Sequence, residues 1–179
     1  MGVSRTPMRE AIRILANEGL LILRPSLSPV VANPSLKQIE DDLTIIRSIE
    51  ALSGELACKC ASDEEISKVR DLHERLVSLS DPVDKLEFFE TDMSFHRSIA
   101  HASHNASLDE VHGQILARLW RVRFLAGRPD TDRARILRQH GMIVAGLEAR
   151  DPDLVKSETA GHCQHIILNI QGYFREGNP

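Results

Sequence analysis

The chain has 179 residues, 42% hydrophobic and 27% charged, with three cysteines and a net charge of −4. That length buries a core without covalent staples, and no apolar run approaches the ~20 residues that a membrane-spanning helix needs. An acidic total excludes a chain that coats nucleic acid over its whole surface.

The charge is uneven. Arg5, Arg9, Arg13 and Arg24 stand against only Glu10 and Glu18 at the start of the chain, a balance of +2, which leaves 18 basic and 24 acidic residues, or −6, for the remainder. A small basic head on an acidic body is the result. Cys58, Cys60 and Cys163 are odd in number and lack paired C-x-x-C spacing, and Met1 leads into the polar Ser4-Arg5-Thr6 rather than a signal peptide. The expectation is a cytoplasmic protein with reduced thiols.

In chain order, residues 5 to 18 predict a helix capped by Ser4, with Pro7 in its first turn and Gly19 as its stop. Met8, Ala11, Ile12 and Leu15 are its expected buried stripe. Two short β-prone runs, Leu20 to Arg24 and Pro29 to Ala32, flank Ser26-Leu27-Ser28 and predict a hairpin. Asn33-Pro34 closes this head, which sets a division into residues 1–34 and 35–179.

The remainder reads as helix, broken at Ser62-Asp63, Ser80-Asp81-Pro82, His104-Asn105, Gly127-Arg128-Pro129 and Arg150-Asp151-Pro152. Six helices follow. In the first, Leu36, Ile39, Leu43, Ile46, Ile49, Leu52 and Leu56 recur at three- and four-residue steps and mark one buried side. Short connections predict an all-α antiparallel bundle.

On the head helix Arg5, Arg9 and Arg13 share a face opposite the apolar stripe. Such a face is either ordinary solvated surface or a surface for a DNA groove. The wording of the segment points further. Ser4-Arg5-Thr6-Pro7-Met8-Arg9-Glu10-Ala11, followed by Leu15 and Glu18-Gly19-Leu20, resembles the recognition helix and first wing strand of GntR-family winged helix-turn-helix regulators. The resemblance implies DNA contacts by Ser4, Arg5, Thr6 and Arg9. It also implies helices ahead of this segment that the 179 residues do not include, so the head is expected as a partial winged helix-turn-helix of one helix and a hairpin.

In the body, Asp92 and His96 are four apart and share a helical face. His140 and His162 lie ten or eleven residues on either side of the Arg150-Asp151-Pro152 turn, which puts them roughly 16 Å from it and level with each other on neighbouring helices. Three imidazoles and a carboxylate form a set that a divalent transition ion accepts, although an Asp/His pair at this spacing also serves as a plain surface hydrogen bond. The segments Asp92-Met93-Ser94-Phe95-His96, Arg138-Gln139-His140 and His162 resemble the ligand-bearing stretches of FCD domains, the ligand-sensing part of the FadR-like branch of the GntR family.

That resemblance covers residues 36–175 and implies Asp92, His96, His140 and His162 as metal ligands; three nitrogens and one oxygen fit Zn²⁺ or Ni²⁺, with Mn²⁺ and Fe²⁺ left open. His165 is the reserve ligand, while His73, His101, His104 and His112 are expected to be solvated or capping groups. It further implies a homodimeric transcription regulator that binds operator DNA and senses a small carboxylate. A cationic side chain would help to hold that acid, and Arg47 and Arg118 are the candidates, with a surface ion pair the equal alternative for either. A helical metalloenzyme is the alternative from another class, and a purely structural metal is the third reading. No H-E-x-x-H and no Glu-x-x-His pair supports an enzyme.

Overall fold

The computed structural model describes residues 4–79, 85–127 and 129–177. Helix α1 (Arg5–Asn17) and strands β1 (Leu21–Arg24) and β2 (Leu27–Val31) form the head, and six helices follow: α2 (Leu36–Cys60), α3 (Asp63–Ser78), α4 (Lys85–Ala102), α5 (Ala106–Ala126), α6 (Pro129–Glu148) and α7 (Pro152–Arg175). The expected break at Ser80-Asp81-Pro82 lies outside the described residues, as does Arg128.

Local chemistry explains the boundaries. Ser35 and Ser62 each close a capping box, with Gln38 and Glu65 as the reciprocal side chains. Asn105 accepts from the Leu108 amide at the start of α5, and Asp151 accepts from the amides of Asp153 and Leu154 with Pro152 just behind it. Helix α1 ends as Gly19, at φ 78°, donates to Ala16 and Leu20 donates to Leu15, the paired bonds of a Schellman stop. Arg150 repeats that stop after α6 at φ 56°, a region that favours glycine. Its guanidinium donates to the Ala61 carbonyl and to Asp63, contacts that offset the strain.

Two head expectations change. The α1 stripe is not buried: no residue of that helix is, and Met8 is 50% exposed, because among the described residues only β1 packs on α1 to a significant extent. Ser4 takes the N-cap position but its side chain makes no cap bond. The hairpin also turns earlier than expected, at Pro25-Ser26, with Leu27 and Ser28 inside β2. Ser26 adopts φ 59°, so a two-residue turn suffices, and Arg24 Nε and Nη2 donate to the Ser28 carbonyl at 3.0 and 2.7 Å.

The bundle holds two apolar cores. One gathers Ala57, Val69, Phe95, Ile99, Ile143, Leu147 and Val155, and the other gathers Ile39, Leu43, Ile46, Ile115, Leu119, Val122 and Ile170. The buried polar residues Glu50, Asp92, His96, His112, Arg123, His140 and His162 come from the helices that build these cores.

The buried face of α2 accordingly departs from the expected stripe beyond Ile46. Leu52 is 45% exposed, and Glu50, Ser53, Gly54 and Ala57 take the inner positions instead. Small residues there let α7 approach closely: a Cβ on Gly54 would stand 2.3 Å from Val155 Cγ1, and one on Gly146 of α6 would stand 2.7 Å from Val155 Cγ2. Val155 is thus seated between two glycines, a fit that any larger residue would force apart.

Candidate metal centre

Asp92 and His96 occupy successive turns of α4, where a four-residue step stacks side chains on one face. His140 comes from α6 and His162 from α7, and their rings stand 4.7 Å apart between centroids, so the two lie level across the Arg150-Asp151-Pro152 turn. All four are buried, and one donor atom from each lies within 4.8 Å of the others. His96 Nε2 is 3.1 Å from His162 Nε2, His140 Nε2 is 3.6 Å from Asp92 Oδ1, and His96 Nε2 is 4.0 Å from Asp92 Oδ2. Donors bound at about 2.0–2.2 Å to one ion stand about 3–4 Å from one another, so these separations fit a shared shell.

The chemistry of the donors fits as well. Both nitrogens of His140 and Oδ1 of Asp92 are buried with no hydrogen-bond partner, an arrangement that costs free energy unless something else satisfies them. Burial holds His140 and His162 well below the ordinary histidine pKa of 6.5, helped by the neighbouring imidazoles, and burial also lowers His96 against the opposing pull of Glu50 and Asp92. Neutral imidazole is the form that binds a metal. Phe95 stacks on His140 at 4.2 Å and fixes its plane.

A second layer, which the sequence reading missed, stands behind His96. Glu50 Oε1 lies 3.5 Å from His96 Nδ1 and 3.5 Å from Nε2 of His112, and Cys163 Sγ donates to Glu50 Oε2 at 3.1 Å. Burial alone would raise the Glu50 carboxyl, but His96, His112 and Arg123 hold it far below its ordinary value of 4.5. Glu50 Oε1 closes no hydrogen bond at these distances, so its charge rather than a formed bond acts on Nδ1 of His96, whose Nε2 faces the other donors. His112 is fully buried, not solvated or capping as expected.

Of the remaining histidines, His101 faces Asp109, His104 binds Glu65 at 2.9 Å, and His73 is half-buried beside Gly141. His165 donates Nδ1–H to the Gly161 carbonyl and does not join the four-donor group.

A cavity of about 80 Å³ adjoins the cluster at Asp92 and His162, and its lining includes Arg123 and Arg135. Arg123 is buried and its Nη2 donates to Asp92 Oδ2 at 3.4 Å. Arg47 and Arg118 do not line this cavity. Arg47 is exposed on α2, and Arg118 makes a two-toothed pair with Asp42 at 3.0 and 2.8 Å beside Gly19 of the head. The four residues expected to touch DNA are exposed at the start of α1.

Residues 43–165 match the FCD domain family. The chain belongs to the FCD-domain regulators of the GntR family. This FCD regulator is similar to the HTH-type transcriptional repressor RspR of Escherichia coli K12, 26% identical over 178 residues that span 98% of this chain and 77% of the relative. It is 30% identical over 164 residues to a Paenarthrobacter nicotinovorans protein named "Probable D-xylose utilization operon transcriptional repressor", covering 90% of this chain and 71% of that one. Among solved structures, Escherichia coli McbR/YncC shares the fold with a TM-score of 0.87 at 22% identity, over 97% of this chain and 82% of that chain. The similar curated proteins are named transcriptional regulators, and the FCD regulator is accordingly a regulator of transcription and not an enzyme. No helix among the described residues is long and apolar enough to cross a membrane.

Proposed function

We propose that Asp92, His96, His140 and His162 hold a divalent transition metal, zinc or nickel, and that a small organic acid bound in the adjoining cavity alters operator binding by the head. The observation that carries this reading is the meeting of four buried donors from three helices within 4.8 Å, with orphaned lone pairs on Asp92 and His140. When bound, the metal supplies a fixed positive charge and open positions for a carboxylate. Arg123, rather than Arg47 or Arg118, is the cation beside those positions, able to donate to a carboxylate while it braces Asp92.

Ser4, Arg5, Thr6 and Arg9 are the DNA-facing residues of this reading, with residues 1–34 as the DNA-binding part and 35–179 as the sensor. The regulator acts in the cytoplasm as a homodimer on a two-fold operator. Regulation requires that the acid bind one arrangement of the dimer more tightly than the other.

Elemental analysis of the purified protein, followed by zinc and nickel titration of the chelator-stripped form, tests the metal. One equivalent per chain, lost in His140→Ala and Asp92→Asn, is expected; no uptake by the wild-type chain overturns the reading. Carboxylate binding that depends on the loaded metal separates a sensing ion from a purely structural one.

A further inference from the structure

The cavity lining divides into two chemistries. One part of the lining is polar and includes Asp92, His162 and the guanidinium groups of Arg123 and Arg135. The rest of the wall is formed in large part by Phe88, Phe89, Phe124, Ile136, Ile166 and Ile170.

Several of the other polar lining groups already have contacts within the protein. Asp132 takes Arg135 Nη2 at 3.1 Å and Asn169 Nδ2 at 2.6 Å, and His165 is committed to Gly161. Lys85 lies over the Phe124 ring at 4.9 Å. Among the described residues, the one lining nitrogen that is buried with no partner is Arg135 Nε.

We propose that the acid sensed here is a monocarboxylate with a compact apolar tail, aromatic or branched, and not a polyhydroxylated or dicarboxylic acid. This deepens the acid-sensing reading above and rests on it. The carboxylate sits by Asp92 and His162, where the guanidinium groups of Arg123 and Arg135 also line the cavity and supply N–H donors. The tail lies among the three phenylalanines and the isoleucines, each buried methylene gaining roughly fourfold in affinity. A hydroxyl placed among the phenylalanines and isoleucines finds no hydrogen-bonding side chain there, and each one left unpaired lowers affinity by roughly tenfold or more. Where one water needs roughly 10–15 Å³, about 80 Å³ suits a compact ring or a short branched tail and not a long chain.

The protein carries its own reporter. Its single tryptophan, Trp120, meets Phe89 at 5.1 Å and stacks on Phe124 at 5.4 Å, and both phenylalanines line the cavity. Zinc-loaded protein is titrated with benzoate, phenylacetate and 4-methylpentanoate, and in parallel with acetate, gluconate and succinate, by calorimetry and Trp120 emission.

The apolar acids are expected to bind at least tenfold more tightly than the other three and to change the emission. Ile166→Ala and Phe89→Ala, compared by calorimetry, bring the benzoate-to-acetate affinity ratio toward one, whereas Arg135→Gln weakens both acids together. Gluconate or succinate binding more tightly than the apolar acids overturns the inference while leaving acid sensing intact. An absence of binding by every carboxylate, acetate included, overturns acid sensing itself and the inference with it.

Discussion

Glu50 Oε1 stands 3.5 Å from Nδ1 of His96, so a carboxylate on α2 braces an imidazole on α4 whose other nitrogen faces the proposed metal. Both residues are almost fully buried, where an unpaired charge is costly and a paired one is held firmly. Glu50→Gln keeps the volume and removes the charge. It is expected to weaken zinc affinity by about tenfold, within the range for lost outer partners, as read by competition with a chromophoric chelator. Unchanged affinity would assign Glu50 to packing alone.

Removing the metal should expose a pH dependence of one sign. His96, His140 and His162 titrate below 6.5 in the folded chain, chiefly because they are buried. The unfolded chain therefore binds more protons as pH falls through 6.5, and stability declines below that point while staying level above it. Glu50, depressed below 4.5, adds a further loss of the same sign below that pH. Urea midpoints of the metal-free protein should be flat from pH 8 to 7 and fall from pH 6 to 5; a rise at acid pH would contradict the burial of neutral histidines.

Metal binding itself should appear as thermal stability. At about a thousandfold excess over its dissociation constant a ligand adds about 4 kcal/mol, which for a chain of this size raises the midpoint by roughly 10 °C. The shift should vanish in His162→Ala and in His140→Ala, and persist in His101→Ala, whose ring is exposed beside Asp109. The readout is the difference between zinc and chelator scans, so a variant of lower absolute stability still gives an answer.

The seat of Val155 makes a prediction away from the metal. Gly54→Ala gains about 1 kcal/mol in helix propensity but places a methyl 2.3 Å from Val155 Cγ1. Overpacking of this kind costs about 1–3 kcal/mol, and the depth of the overlap makes the net effect destabilising. Val155→Ala in the same chain should recover much of the loss. A double-mutant cycle from denaturant unfolding measures the coupling; strictly additive effects would show that the helices simply move apart.

The bundle was legible because its boundaries are written in local chemistry. Ser35, Ser62, Asn105 and Asp151 cap where they stand, and the Asp151-Pro152 turn places His140 and His162 at equal depth before any packing is known. Glu50 and His112 were not legible in the same way: His112 was read by its residue type as a solvated or capping group, and Glu50 was not singled out. Their positions carried a signal: Ile39, Leu43, Ile46, Glu50, Ser53 and Ala57 run in unbroken three- and four-residue steps along α2, and Leu108, His112, Ile115 and Leu119 do so along α5. A titratable group on such a track is turned inward, where it needs a partner. Arg123 follows the same logic on α5, while Arg47 and Arg118 were chosen by charge without regard to which face they occupy.

Helix α2 begins at Leu36, directly after the hairpin, and meets the buried cluster through Glu50. Between those residues runs roughly 21 Å of helix at about 1.5 Å per residue, so a tilt of about 3° pivoting at Glu50 displaces Leu36 by about 1 Å. That exceeds the spread of roughly 0.5 Å over which N–H···O bonds keep their strength. The helix is therefore a lever whose gain is set by its length, so that a small tilt about the buried cluster is magnified where α2 leaves the hairpin.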